Sequence, residues 1–148
     1  MSKITGKLEI RKEDDTHWFI LRLIKFLLND GRLVTIKRGF VFDGGSVPQA
    51  LWAFVPPMGT AADWGFALHD ALYSWHRDSS QLVIVSDSFT RKDADLAMME
   101  VHLHAGVSQE LAELIYTGVR LGASRSWMTP EEKLASNIIK ELPEYYDQ

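Results

Sequence analysis

Five side chains are spaced for chemistry: Asp43 in the turn Asp43-Gly44-Gly45-Ser46, the adjacent pair His69-Asp70, Tyr73 one helical turn beyond the histidine, and Asp95 further downstream. An imidazole among carboxylates is the material of a general base or a metal centre. A Gly-Gly turn lets a carboxylate and backbone carbonyls approach a ligand at little steric cost. On a helix, His69 and Asp70 project about 100 degrees apart, so they flank one groove without pairing. If His69 is a base, its orienting carboxylate comes from another element, and Asp93 and Asp95 are the candidates. Asp93 falls where the capping box Thr90-Arg91-Lys92-Asp93 needs an acid. Asp95, beside Ala94, Leu96 and Ala97, is either solvated surface or an inward carboxylate, and both readings stand at this stage.

Asp43, a neighbouring backbone carbonyl and Asp70 would offer the all-oxygen ligand set that suits Ca²⁺. With His69 added, the mixed N/O set would suit Zn²⁺. Against both, Asp-Gly-Gly-Ser is also a plain turn in which the aspartate bonds its own backbone. The other histidines read as less informative. His102 and His104 are two apart and face different ways on a helix. His17 begins a strand, and His76 reads as a surface side chain. Arg120 and Arg125 would suit an anionic headgroup, but a solvated face is the default.

The elements that must position these groups are strands first and helices after. Ile4 to Ile10 is expected to form one short strand. His17 to Leu28 and Arg32 to Ile36, joined by Asn29-Asp30-Gly31, are expected to form a hairpin, with a helix over Trp18–Leu28 as the competing reading. Gly44, Gly45, Pro48, Pro56, Pro57 and Gly59 fit no regular element. Four helix starts follow, at Thr60, Thr90, Ser108 and Thr129-Pro130, with Gly106 ending the second helix and Pro143 the last. Trp64, Leu68, Leu72 and Trp75 recur at helical spacing and should face the core. Leu82–Val85 reads as a short buried strand. The expectation is one α+β domain over residues 1–148: β-rich over 1–42, a Gly/Pro-rich loop over 43–59, and three to four helices over 60–143. The helix carrying His69 should pack antiparallel to the one carrying Asp95.

Composition supports a globular chain. The 148 residues are 46% hydrophobic and 24% charged, with net charge −4 and no cysteine. That size can bury a real core. The negative balance and lack of a basic block argue against nucleic-acid binding. Without cysteine, disulfides and thiolate zinc sites are excluded. Met1–Arg11 has no apolar signal segment, and Trp18–Leu28 is interrupted by Arg22 and Lys25 and too short to span a bilayer. Synthesis in the cytoplasm is therefore expected.

Gly39-Phe40-Val41-Phe42-Asp43-Gly44-Gly45-Ser46-Val47-Pro48, Pro56–Gly59, His69-Asp70-Ala71-Leu72-Tyr73 and Arg91-Lys92-Asp93-Ala94-Asp95, in that order, resemble a small phage and prophage family catalogued as domain of unknown function 1353. The resemblance spans roughly Arg32 to Gly122. It implies a bacteriophage-type product made in the host cytoplasm, with phage structural proteins or host envelope lipid as partners and a place in the virion as one destination. The order Asp-Gly-x-Ser, a Gly/Pro-rich stretch, His-Asp-x-x-Tyr and a later helical aspartate is similar, more distantly, to the bacterial secreted phospholipases A2. That similarity implies a Ca²⁺-dependent ester hydrolase and a phospholipase-A2-like helix pair. In it His69 is the general base, Asp95 orients it, Tyr73 hydrogen-bonds Asp95, and Asp43, the Gly44 carbonyl and Asp70 hold Ca²⁺. The chain departs from those enzymes in lacking their disulfides and export signal, and Leu82–Val85 is inserted between the two helices. A non-catalytic virion or morphogenesis protein that keeps the scaffold is the alternative. A hydrolase of another substrate, using another divalent metal, is the second alternative.

Overall fold

The computed structural model describes residues 2–12, 17–43 and 60–141, with two small antiparallel sheets followed by helices. The strands are β1 (Lys3–Thr5), β2 (Ile10–Lys12), β3 (His17–Ile20), β4 (Ile24–Leu27), β5 (Leu33–Ile36), β6 (Val41–Asp43) and β7 (Val83–Val85). The helices are α1 (Asp63–Asp78), α2 (Arg91–Ala105), α3 (Gln109–Gly122), α4 (Ser124–Trp127) and α5 (Pro130–Glu141). One sheet has the order β1-β4-β5-β7 and the other β2-β3-β6. The α+β class expected from the sequence is the class observed.

The β4–β5 hairpin forms as expected, with Leu27 opposite Leu33. Gly31 takes φ 91° in its turn, and Asp30 accepts a bond from the Arg32 backbone at 2.9 Å. Two segments expected to be single strands are instead divided between the sheets. Ile4 to Ile10 turns at Gly6 (φ 107°), where a Cβ would lie 2.8 Å from the Leu23 carbonyl oxygen. Only glycine fits that approach. β1 therefore joins one sheet and β2 the other. His17 to Leu28 likewise breaks between Ile20 and Ile24, both fully buried. Ile20, Ile24 and Phe26 would share one face of a continuous strand, so it is the pairing that divides the segment: β3 pairs with β2 and β6, whereas β4 pairs with β1 and β5. Alternation is clean in β4 and β5: Ile24, Phe26, Val34 and Ile36 point inward.

The inner face of α1 closes over these side chains with Ala67, Leu68, Ala71 and Leu72. Trp64 and Trp75 are partly buried at the margin of the same core. A second cluster of Ala62, Phe66, Met98, Ile115 and Val119 joins α1, α2 and α3. The helix signals are mostly the expected ones. Thr90 and Asp93 form a reciprocal capping box on α2, Ser108 caps α3, and Gly106 (φ 103°) ends α2. The Thr60 signal is only half used. Asp63 accepts from the Thr60 backbone, but the Thr60 hydroxyl accepts from Ala62 rather than Asp63, and α1 begins at Asp63. Within the described residues, no helix is long and apolar enough to cross a membrane.

Candidate functional site

Helices α1 and α2 run antiparallel. His102, late in α2, meets Ala62 and Phe66 at the start of α1, while Asp95, early in α2, meets His69 and Tyr73 further along α1. His69 and Tyr73 are four residues apart and so share one face of α1; their ring centroids lie 4.1 Å apart. Both reach the same oxygen: Asp95 Oδ1 is 2.8 Å from His69 Nε2 and 2.6 Å from the Tyr73 hydroxyl, which donates to it. The other oxygen, Oδ2, accepts from Arg120 Nη1 on α3 at 2.8 Å. His69, Tyr73 and Asp95 are buried, whereas the Arg120 side chain is 30% exposed.

These contacts decide the charge state. Burial pushes the Asp95 carboxyl up, but hydrogen bonds from His69, Tyr73 and Arg120 outweigh it and hold its pKa below the usual carboxylate value. A buried carboxylate this well satisfied stays ionised. Burial first, then the bond to Asp95, pushes the Tyr73 phenol well above its ordinary range, so it remains a donor. An ionised Asp95 accepts the proton of His69 Nε2. In neutral His69 the unprotonated nitrogen is then Nδ1, on the ring edge away from Asp95.

The sequence left Asp93 and Asp95 both open as partners for His69. Asp93 is engaged at the α2 N-terminus and by Arg32 at 3.1 Å, and Asp95 is the carboxylate on the imidazole. Of the expected metal-binding set, Asp70 lies half-buried on α1 next to His69. Asp43 ends β6, opposite His17 in the β3–β6 register, and β6 packs against α1. Gly44 lies outside the described residues. Among the described residues, no three His, Asp or Glu side chains gather as a metal site. The donor chemistry of Asp43, Gly44 and Asp70 is nevertheless all oxygen and fits a hard cation. His69 reaches Asp95 through Nε2, so zinc ligation by this ring would use Nδ1.

Two neighbours of the site were not legible in the sequence. Arg120, read as solvated, is the charge partner of Asp95. Trp127 on α4 meets Tyr73 edge-on at 5.0 Å and stacks on His76 at 4.0 Å and 5°. His76 is therefore half-buried rather than a surface side chain, with Glu132 Oε1 3.5 Å from its Nε2. An arginine or tryptophan alone gives no such signal, because its partner is set by helix packing. His102 and His104 do diverge as expected. His104 is exposed, while His102 is buried, donates from Nε2 to the Ala62 carbonyl at 3.0 Å, and has no partner on Nδ1.

Fold and site together define a small α+β domain organised around a buried His–Asp pair on antiparallel helices. The chain belongs to the family described as protein of unknown function (DUF1353), whose model matches residues 18–119. That match takes in β3 through nearly all of α3 and ends one residue before Arg120. Neither the curated proteins nor the solved structures give a match.

Proposed function

We propose that this is a bacteriophage protein carrying a phospholipase-A2-like ester hydrolase site, with His69 as general base and Asp95 as its orienting carboxylate. One observation carries the reading: His69 Nε2 lies 2.8 Å from an Asp95 carboxylate that Tyr73 and Arg120 also hold. That pairing leaves Nδ1 as the basic nitrogen. Its lone pair takes a proton from water as the water oxygen bonds to the ester carbonyl carbon. Asp95 stabilises the imidazolium that forms, and the proton returns to the departing alkoxide as the carbonyl re-forms. Asp43, Asp70 and the Gly44 carbonyl would hold Ca²⁺, which when bound supplies positive charge to the developing oxyanion.

A second reading is favoured by a different observation. His69 and Asp95 are both buried, which suits a pair that ties α1 to α2 in a non-catalytic virion or morphogenesis component. A carboxylate-bound imidazole is also how proteins orient a metal-ligating histidine, so a zinc hydrolase of another substrate uses the same pair.

The deciding experiment is turnover by the purified full chain on phospholipid vesicles and simple esters, with Ca²⁺, Zn²⁺ or chelator. The hydrolase reading expects Ca²⁺-dependent turnover, nearly abolished in a folded His69→Ala. Asp95→Asn should cost less, about 10⁴-fold in kcat. His76→Ala should be close to silent. Activity restored by Zn²⁺ and not Ca²⁺ selects the metal alternative. No turnover, with His69→Ala unfolding the chain, selects the structural one.

A further inference from the structure

Arg91 and Asp95 are one turn apart on the same face of α2, and both reach the last turn of α3. Arg91 Nη2 donates to the Val119 and Arg120 carbonyls at 3.0 and 2.8 Å. The carbonyls of a helix's last turn carry partial negative charge, so a guanidinium there is favourable even though the Val119 carbonyl oxygen also accepts from the Ala123 N–H. The side chain of that same Arg120 returns to Asp95 Oδ2 at 2.8 Å. Thus α2 grips the end of α3 at two points, by its backbone and by its arginine.

The grip divides the Asp95 carboxylate between helices. Oδ1 faces His69 and Tyr73 on α1, and Oδ2 faces Arg120 on α3. The terminal torsion of an aspartate is broad, so two donors on one oxygen leave the carboxylate plane able to turn about that oxygen. A charge-assisted bond on the second oxygen removes this freedom and offsets the buried negative charge. We propose that Arg120, docked by Arg91, is a positioning residue that locks the Asp95 carboxylate in the orientation that keeps Oδ1 on His69. This builds on the hydrolase reading, and a readout that needs no turnover separates the two.

That readout is the ¹⁵N-edited proton resonance of the His69 ring N–H donated to a carboxylate, assigned by its loss in His69→Gln. Arg120→Ala, Arg120→Lys and Arg120→Gln are compared in the full chain. Arg120→Ala should keep its circular dichroism but broaden or shift the resonance. Where the wild type hydrolyses an ester, kcat should fall about 10- to 100-fold with KM little changed. Added guanidinium should restore both, since the 30% exposed site admits it. Arg120→Lys should retain the resonance, because Asp95 takes one donor from this side chain rather than a fork. An unchanged resonance in folded Arg120→Ala overturns the proposal. If Arg120→Ala does not fold, the other pair decides: a wild-type signal in Arg120→Lys and its loss in Arg120→Gln supports the lock, and equal signals overturn it. A wild type without turnover sinks the hydrolase reading, and the resonance alone then decides the role of Arg120.

Discussion

Lowering the pH from 7 to 5 should place a charge on His102 more readily in the unfolded chain than in the folded one. His102 is buried with its Nε2 proton committed to the Ala62 carbonyl and no partner for Nδ1. Protonation would put a second N–H into that unpartnered position, and burial accordingly pushes the pKa from the usual 6.5 down to about 4. The unfolded chain therefore binds the proton first. Between those two values it carries more protons than the folded chain, so this contribution is intact above about pH 6.5 and declines as pH falls toward 4. Linkage with those two pKa values gives a loss of about 2 kcal/mol between pH 7 and pH 5, approaching about 3 kcal/mol across the whole window. The assay is urea denaturation at several pH values and fixed ionic strength, on the wild type and His102→Gln. The curve of interest is the stability of the wild type minus that of the variant. Every other histidine and carboxylate is common to both chains, so that difference should shrink by about 2 kcal/mol from pH 7 to pH 5. Parallel curves would refute the reasoning.

Three further outcomes are expected. Gly65→Ala should cost about 1–3 kcal/mol in thermal or urea unfolding, because its Cβ would overlap the His102 ring; the cost should shrink in a His102→Ala background. Thr90→Ala removes one half of the α2 capping box and should cost about 1 kcal/mol, read in the same unfolding assay. Ca²⁺ should raise the melting temperature of the wild type but not of Asp43→Ala, whereas a purely structural turn predicts an equal loss with and without the ion.

What the sequence made legible follows from how local each signal is. The hairpin at Asp30-Gly31, the cap at Thr90 and the stop at Gly106 are written in a few adjacent residues, and they form as read. The spacing of His69 and Tyr73 placed them on one face because helical periodicity is itself local. The division of Ile4–Ile10 and His17–Leu28 between two sheets was not legible. A glycine with positive φ against a distant carbonyl looks the same in sequence as any other glycine within a strand. Asp95 could not be told from a surface carboxylate for a similar reason: its neighbours Ala94 and Ala97 are buried and Leu96 is exposed, a pattern read only after α2 has docked.

Arg120 makes the same point about charge. Its own helix offers no hint, since α3 places it in the last turn, where a cation is favourable whatever it touches. What recruits it is the demand at Asp95. A carboxylate with no solvent exposure, already accepting two bonds on one oxygen, is costly to bury unless the second oxygen is matched by a cation. α1 supplies an imidazole and a phenol but no permanent charge, and Arg91 on α2 donates to the α3 carbonyls, so the cation on Oδ2 is Arg120 of a third helix, which Arg91 holds in place. The His–Asp pair is thus a property of three packed helices rather than of two motifs. A variant that removes the Arg91 or Arg120 contact should therefore be felt at His69.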